Sequence, residues 1–598
     1  MRDKDIRDAL RQAVLRQGRG DYAFAEATYS RILRASPAHP EANFRMGLLA
    51  AAAREFADAV CFLEKAVLAD PSSPNYAFEL CHTQAILGRT EEALEGFRST
   101  CARLRSGDVQ LADNRQLIPA ARLVAHLLAR RQYCLCLELV AALPDALVSA
   151  ELLAHAASAF MQLGDARAAA GQLRKALPRA ACAEDAAQLH SRLLSSLVAC
   201  DDVTPVALHA EALRWDGLHG LSPMPPSAPA KSSPDGGLPR LGIISRSFRR
   251  HTTATILLPL LPELARHFTL FAYCDERLQD DYTVRYKSLF KGWRDVSALS
   301  EVEAASCIRA DRLDILMDIN GHLEAARPRI LTCRPAPVQV HYMGGPMSLG
   351  LASVQYRISD NFADPVDCSS ADSSEEILRL PRCMFAFRPL GETADPGPAP
   401  ELANGYITFG SCNALCKASD TTLAMWKAAL DAVPGSRLEV VRDVFDSDPG
   451  ARALFERRLG RAGIDLSRVG LRSQSSTQLH SMVAYSGFDI TLDSYPYCGA
   501  TTTLDSLWMG VPVMGIKGGR FSTRTSASLL EAVGLGELAC DDMDSFVTCV
   551  RGMCAERDRR VRLRAELGRR VVEGELGNFA SLADAIATAL GKTFPVVA

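Results

Sequence analysis

Nowhere in the 598 residues does a run of about 18 uncharged apolar side chains occur, which excludes a membrane-spanning helix. The opening MRDKDIRDALRQ is charged rather than apolar, so the expectation is a cytoplasmic chain without a secretory leader. CxxC pairs are missing. The 18 cysteines are scattered, many inside apolar periods, which argues against a disulfide framework and for reduced thiols. Neither sign of charge dominates: 67 Lys and Arg stand against 70 Asp and Glu, a net charge of −3. Nothing therefore draws the whole chain to nucleic acid or an anionic membrane, and no nucleic-acid-binding signature is present. A Walker loop, an early GxGxxG, a GxSxG elbow and an HExxH helix are all absent, which removes several nucleotide-binding and hydrolytic classes. The one acidic cluster, Asp443, Asp446 and Asp448, lacks the spacing and glycine of a calcium loop, so no metal is expected there.

What is present begins with a repeat. A chain of this length exceeds one core and implies about three or four domains. Gly20-Asp21-Tyr22, Ala25, Tyr29, Leu33 and Pro37 recur 34 residues later as Arg54-Glu55-Phe56, Ala59, Leu63, Val67 and Pro71. Gly88, Ala93, Phe97 and Cys101 start a third copy. Small residues let paired helices approach, large ones fill the gap between hairpins, and Pro ends the second helix. The pattern resembles tetratricopeptide repeats. The register breaks near residues 104–114 and weaker copies follow, giving an expected repeat domain over 1–180. Its concave face would select peptides or protein partners; alternatively the helices merely cap the domain behind them. Residues 181–238 read as a helical connector closing in the Pro/Ser/Gly-rich linker LSPMPPSAPAKSSPDGG at 221–237.

Beyond the linker, short apolar strands alternate with amphipathic helices, the signature of a mostly parallel sheet covered on both faces. Strands are predicted at 240–245, 269–274 and 313–319, with helices over 252–267 and 300–311. Residues 365–403 read as loop-rich, a link between two lobes. The alternation restarts with strands at 406–410, 437–442, 469–472, 489–493 and 511–516, and helices beginning near Ser419, Asp448, Ser476, Thr502 and Thr523. The predicted fold is thus an α-solenoid followed by two Rossmann-like α/β lobes, at 239–400 and 401–598. Two such lobes facing across a cleft describe the GT-B architecture, and other two-lobed enzymes as well. The helical segment 582–590 is placed to cross back onto the first lobe.

Residues 493–514, DSYPYCGATTTLDSLWMGVPVM, form a strand–turn–helix unit whose helix start aims N–H groups and three hydroxyls, Thr501, Thr502 and Thr503, beyond the sheet edge. Such a start suits a phosphorylated ligand or is an ordinary capped helix. Asp505, one turn on, either binds a ribose diol or supplies favourable charge to the helix start. Lys417, just before a helix that Ser419 or Asp420 can cap, is a diphosphate contact or a solvated lysine. His251, after the first strand, is a proton-transfer or hydrogen-bonding group at the cleft edge, or a satisfied surface histidine. The segment NGH, with His322, ends a strand at the ligand side. RPAPVQ, at 334–339, sets a rigid extended backbone ahead of Gly344, Gly345 and Gly350.

Together, NGH, RPAPVQ, YITFGSCNALCK and YPYCGATTTLDSLWMGVPV resemble the O-linked N-acetylglucosamine transferase and SPINDLY family, inverting family 41 glycosyltransferases. The resemblance covers nearly the whole chain. It implies a GT-B core and transfer of a sugar, GlcNAc from UDP-GlcNAc first, to Ser or Thr hydroxyls of proteins, with neither metal nor cofactor. It implies His251 as the cleft base or acceptor-positioning residue and Lys417 as the diphosphate lysine. Thr501, Thr502 and Thr503 become phosphate contacts, Asp505 the ribose contact, and His322 a further donor contact. The chain departs from the family at Thr252, Ala414, Ala500 and the segment Gly344-Gly345-Pro346-Met347, around the sugar and base end of the pocket. A protein O-fucosyltransferase using GDP-fucose is the first alternative; Asp505, where SPINDLY-like chains tend to have Glu, favours UDP-GlcNAc. A repeat scaffold with a decayed core is the second.

Overall fold

The computed structural model describes the chain except residues 1, 112, 226–236, 324–325, 368–372, 392, 474–477 and 594–598, and the side chains of 114 and 478–481. Most of the expected linker and the helix start expected at Ser476 lie outside the described residues. The chain divides into two compact units, Met1–Ala159 and Phe160–Ala598.

The first unit is a row of helical hairpins, among them Asp3–Gln17 with Tyr22–Ala35, Pro40–Ala52 with Phe56–Ala69, and Pro74–Ile86 with Thr90–Ser106. The repeat positions do what their sizes dictate. Ala25, Ala59 and Ala93 are completely buried at the crossings, and Tyr29, Leu63 and Phe97 fill the spaces between hairpins. Gly47 is there because a Cβ would stand 2.7 Å from Leu63 Cγ. Each hairpin turns through a left-handed residue: Gly20, Arg54 and Gly88 at 34-residue spacing, then Arg131 after the break. Arg54 holds this conformation at φ 65° with a β-carbon that disfavours it. Replacing the exposed Arg54 by Gly is expected to stabilise the unit by about 0.5–1 kcal/mol, seen as a raised denaturation midpoint in urea.

The second unit contains two all-parallel sheets. Lobe one comprises β1 (Arg240–Ser245), β2 (Thr269–Cys274), β3 (Gly292–Asp295), β4 (Ile315–Asp318), β5 (Val338–His341), β6 (Tyr356–Asp360) and β7 (Glu376–Leu380), ordered β3-β2-β1-β4-β5-β6-β7. Lobe two comprises β8 (Thr408–Ser411), β9 (Arg437–Val441), β10 (Val469–Arg472), β11 (Ile490–Leu492), β12 (Val513–Ile516) and β13 (Ala539–Cys540), ordered β10-β9-β8-β11-β12-β13. Burial on both faces explains the continuous apolar runs of β1, β2 and β11. The architecture is the expected one: a helical array followed by two Rossmann-like lobes of the GT-B kind.

Four lobe-one strands escaped the sequence reading. β7 lies inside the loop-rich stretch 365–403. β5 carries Gln339 in its interior, an unpromising core residue, because the side-chain amide donates to Leu331 O at 2.9 Å and Ser353 O at 2.8 Å. β6 buries Arg357 against Asp364.

The compact first unit ends at Ala159. The helices Ala166–Ala176, Ala183–Val198 and Pro205–His219 that follow are tied to the lobes. Arg520 donates to Val198 O at 2.9 Å and Val203 O at 3.0 Å, and Arg329 Nε donates to His219 O at 2.9 Å. Helix Phe579–Gly591 packs against lobe-one helix Ala254–Leu264, and His267 Nε2 lies 2.8 Å from Asp584. The last described helix therefore belongs to lobe one by packing, although it follows lobe two in the chain.

Candidate functional site

In an open parallel sheet the crevice for a ligand lies beyond the strand C-termini where the strand order reverses. In lobe two that point falls between β8 and β11, which are neighbours although two strands separate them in sequence. Lys417 follows β8, and Thr501, Thr502, Thr503 and Asp505 follow β11, so the topology alone brings these five residues to one crevice.

Buried polar groups stitch the two loops together. Asp493, 2% exposed, accepts from Ser494 N and Gly499 N, both at 2.8 Å, and faces Asn413 Nδ2 at 3.3 Å. Asn413 Oδ1 in turn accepts from Thr502 Oγ1 at 2.8 Å. Ser419 Oγ donates to Tyr495 O, and Tyr495 N donates to Thr422 Oγ1 at 2.9 Å. None of Asn413, Asp493 and Gly499 was singled out from the sequence; the signal available was the strand-end position of each.

Helix Thr501–Trp508 starts without a side-chain cap, because Ala500 at its N-cap has no hydrogen-bonding group. The first N–H groups of a helix have no intrahelical acceptor, so those of residues 501–503 face the crevice together with the partial positive charge of the helix start. The hydroxyls of Thr502 and Thr503 turn toward Gly499: a Cβ there would stand 2.7 Å and 2.5 Å from them.

Lys417 reaches across the crevice. Its Nζ donates to Cys498 O at 2.9 Å and lies 3.8 Å from the centre of the Tyr497 ring. Burial lowers its proton affinity from the ordinary lysine value, while the thiols of Cys498 and Cys416 and the Asp493 carboxylate oppose that shift. Asp505 keeps an edge toward solvent, and its carboxyl has no hydrogen-bond partner among the described residues. Burial alone pushes it up to about 7. An unpaired carboxyl held this deep is matched to a ligand that donates hydrogen bonds.

In lobe one the reversal lies between β1 and β4. His251, after β1, is half-buried; its Nδ1 lies 2.9 Å from Thr253 Oγ1 and accepts from Thr253 N at 3.3 Å. A backbone N–H only donates, so Nδ1 is the accepting nitrogen and neutral His251 carries its proton on Nε2. His322 differs. Its Nδ1 lies 3.0 Å from Ser191 Oγ and its Nε2 2.9 Å from Leu349 O, with Trp215 edge-on at 5.0 Å. Burial lowers it to about 4, so the ring is neutral and both nitrogens are spent inside the protein. In this structure His322 fastens the connector helices to lobe one.

Two Rossmann-like lobes, with a lysine and an uncapped helix start at the switch point of the second, match the GT-B architecture. A sequence profile of Glycosyl transferase family 41 matches residues 201–388 and 399–586. The chain belongs to that family. It is 36% identical over 345 residues to the probable UDP-N-acetylglucosamine–peptide N-acetylglucosaminyltransferase SPINDLY of Arabidopsis thaliana, covering 57% of this chain and 36% of that protein. It is 29% identical over 334 residues to the probable enzyme SEC of the same plant, covering 53% and 33%. The chain thus spans about a third of the length of these relatives. A lysine-to-methionine mutant of the Thermobaculum terrenum O-GlcNAc transferase superposes with a TM-score of 0.67 at 25% identity, covering 99% of this chain and 98% of that one.

Gly499→Ala tests the cradle directly. The added methyl has to displace both threonine hydroxyls, and the expected cost is about 1–3 kcal/mol, measured by urea denaturation.

Proposed function

We propose that the protein is an inverting O-glycosyltransferase that moves GlcNAc from UDP-GlcNAc to Ser or Thr hydroxyls of proteins, acting in the cytoplasm without metal or cofactor. The observation that carries this reading is the lobe-two crevice, where Lys417, the uncapped start of Thr501–Trp508 and the unpaired Asp505 converge. The first two match a diphosphate and the third a ribose diol. The names of the plant and Thermobaculum relatives supply the sugar and the acceptor class.

In the reaction the acceptor oxygen bonds to the anomeric carbon, the bond to the β-phosphate oxygen breaks on the opposite face, and UDP leaves. Negative charge grows on the diphosphate as that bond breaks. The Lys417 ammonium and the N–H groups of residues 501–503 are already in place to receive it. Such preorganised donors are each worth roughly 2.7–4 kcal/mol of barrier. His251, protonated on Nε2 in its neutral form, is suited to hold an oxygen rather than to take a proton from one. The acceptor proton then passes to another oxygen, for which a donor phosphate is the available acid–base partner. The helical array would select the protein acceptor.

Incubation with labelled UDP-GlcNAc and, separately, GDP-fucose should show protein labelling and nucleotide release with UDP-GlcNAc. Labelling by GDP-fucose alone would transfer the reading to the fucose class. Lys417→Ala is expected to lower turnover by about a hundredfold or more; full activity would overturn the diphosphate assignment.

Asp505 adds a proton-linked test. With its value near 7, about half the free protein carries this proton at pH 7. A ribose diol donating to the carboxylate favours the ionised form, so UDP binding at pH 7 should release a fraction of a proton. Calorimetry in buffers of different ionisation enthalpy should detect that release, and Asp505→Asn should abolish it. The raised value also has a stability sign. The folded state gains from the protonated carboxyl below about pH 4 and loses that gain as pH rises through about 7, so Asp505→Asn should flatten the melting profile across that window.

A further inference from the structure

Lys417 lies at the tip of a flexible four-carbon side chain, and holding it in one place costs rotamer entropy. Its surroundings show how it is held. Among the described residues the ammonium meets the Cys498 carbonyl at 2.9 Å and the face of Tyr497 at 3.8 Å from the ring centre. The ring is itself seated, packed with Ala199, Cys200 and Val203 of the connector and with Met161 and Ala166 of the two helices before it. The same connector grips the turn that carries the lysine. Arg458 donates to Gly164 O at 2.7 Å and to Ala418 O at 2.6 Å, the residue next to Lys417. Gly164, at φ +88°, approaches so closely that a Cβ would stand 2.8 Å from Leu415 O. Asp201 accepts from Thr421 N and Thr421 Oγ1, both at 3.0 Å, at the start of the helix that follows.

We propose that Tyr497 is a positioning residue for Lys417: its ring face fixes the ammonium over the crevice, and the connector turn around residues 161–203 fixes the ring. The role rests on the reading of Lys417 as the diphosphate contact. A cation over an aromatic face is stabilised as a cation, which offsets the desolvation that Lys417 suffers. The charged groups around the ammonium are Asp493, which favours its charge, and Arg442, which opposes it. Burial also raises the neighbouring thiols of Cys416 and Cys498 above their usual value. The arrangement makes the connector part of the catalytic crevice's wall and not only a spacer between repeats and lobes.

The test compares wild type, Tyr497→Leu, Tyr497→Phe and Lys417→Ala as full chains. Two readouts apply: kcat and KM for UDP-GlcNAc against pH, and a titration of 13Cε-labelled lysine by NMR with the Lys417 signal assigned by its loss in Lys417→Ala. Tyr497→Leu should bring the alkaline limb of kcat and the Lys417 titration down together by about half a unit to one unit, the shift a cation–π contact can supply. It should also cut kcat roughly tenfold, while Tyr497→Phe restores both values. If Tyr497→Leu does not fold, Tyr497→Met must show the same displacement. An unmoved titration in the aliphatic variant, or a Phe variant no better than Leu, overturns the proposal. The NMR titration needs no substrate, so it judges Tyr497 even if turnover is absent. Full turnover in Lys417→Ala instead removes the diphosphate reading, whatever Tyr497 does.

Discussion

The carboxylate of Asp493 is the point on which lobe two's crevice depends. A buried carboxylate is tolerated only when its oxygens are filled by donors. Here one oxygen draws in two backbone N–H groups and the Asn413 amide. That arrangement bends the chain after β11 back over β8 and leaves Gly499 no room for a side chain. Every element of the crevice follows from the bend: the Cys498 carbonyl that meets Lys417, the threonine hydroxyls beside Gly499, and the bare helix start behind them. Asn413 then carries the constraint across to Thr502. The functional groups are consequently held by the chain that connects them, with little left to side-chain chance.

The parts legible in the sequence share a physical trait. β1, β2 and β10 were read to the residue because their limits coincide with abrupt changes between apolar runs and charged or turn residues. The helical array was legible because the same packing problem is solved every 34 residues. The helix at Thr501 could be seen because its start combines a strand end, a Gly turn and hydroxyls. What stayed hidden were strands whose polar side chains find partners far away in the chain. Gln339 and Arg357 look foreign to a core until Ser353 and Asp364 are seen beside them. Tyr497 was invisible for the same reason: the groups that give it meaning lie about 80 residues and about 300 residues upstream.

The helices from Ala166 to His219 combine the turns of a repeat with packing against the lobes. Gly164-Asp165 continues the turn chemistry of the array, and Asp165 caps the next helix as Asp21 does. Yet the surface these helices bury faces the lobes, through Arg520, Arg329 and the ring of Tyr497. A repeat element takes its neighbour's surface as its partner, and here the neighbour is an α/β lobe. Periodicity reports the shape of an element; only its contacts assign it to a unit.

The helix Phe579–Gly591 carries a consequence for biogenesis. It covers lobe-one helix Ala254–Leu264, and the contact of Asp584 with His267, just past that helix, joins residues 317 apart in the chain. A ribosome adding about 5–20 residues per second delivers the cover some tens of seconds after the surface it protects. During that interval lobe one presents an apolar helix face to solvent or to chaperones. Its core is sealed only after all of lobe two has been made, so the two lobes mature together although their sheets share no strand.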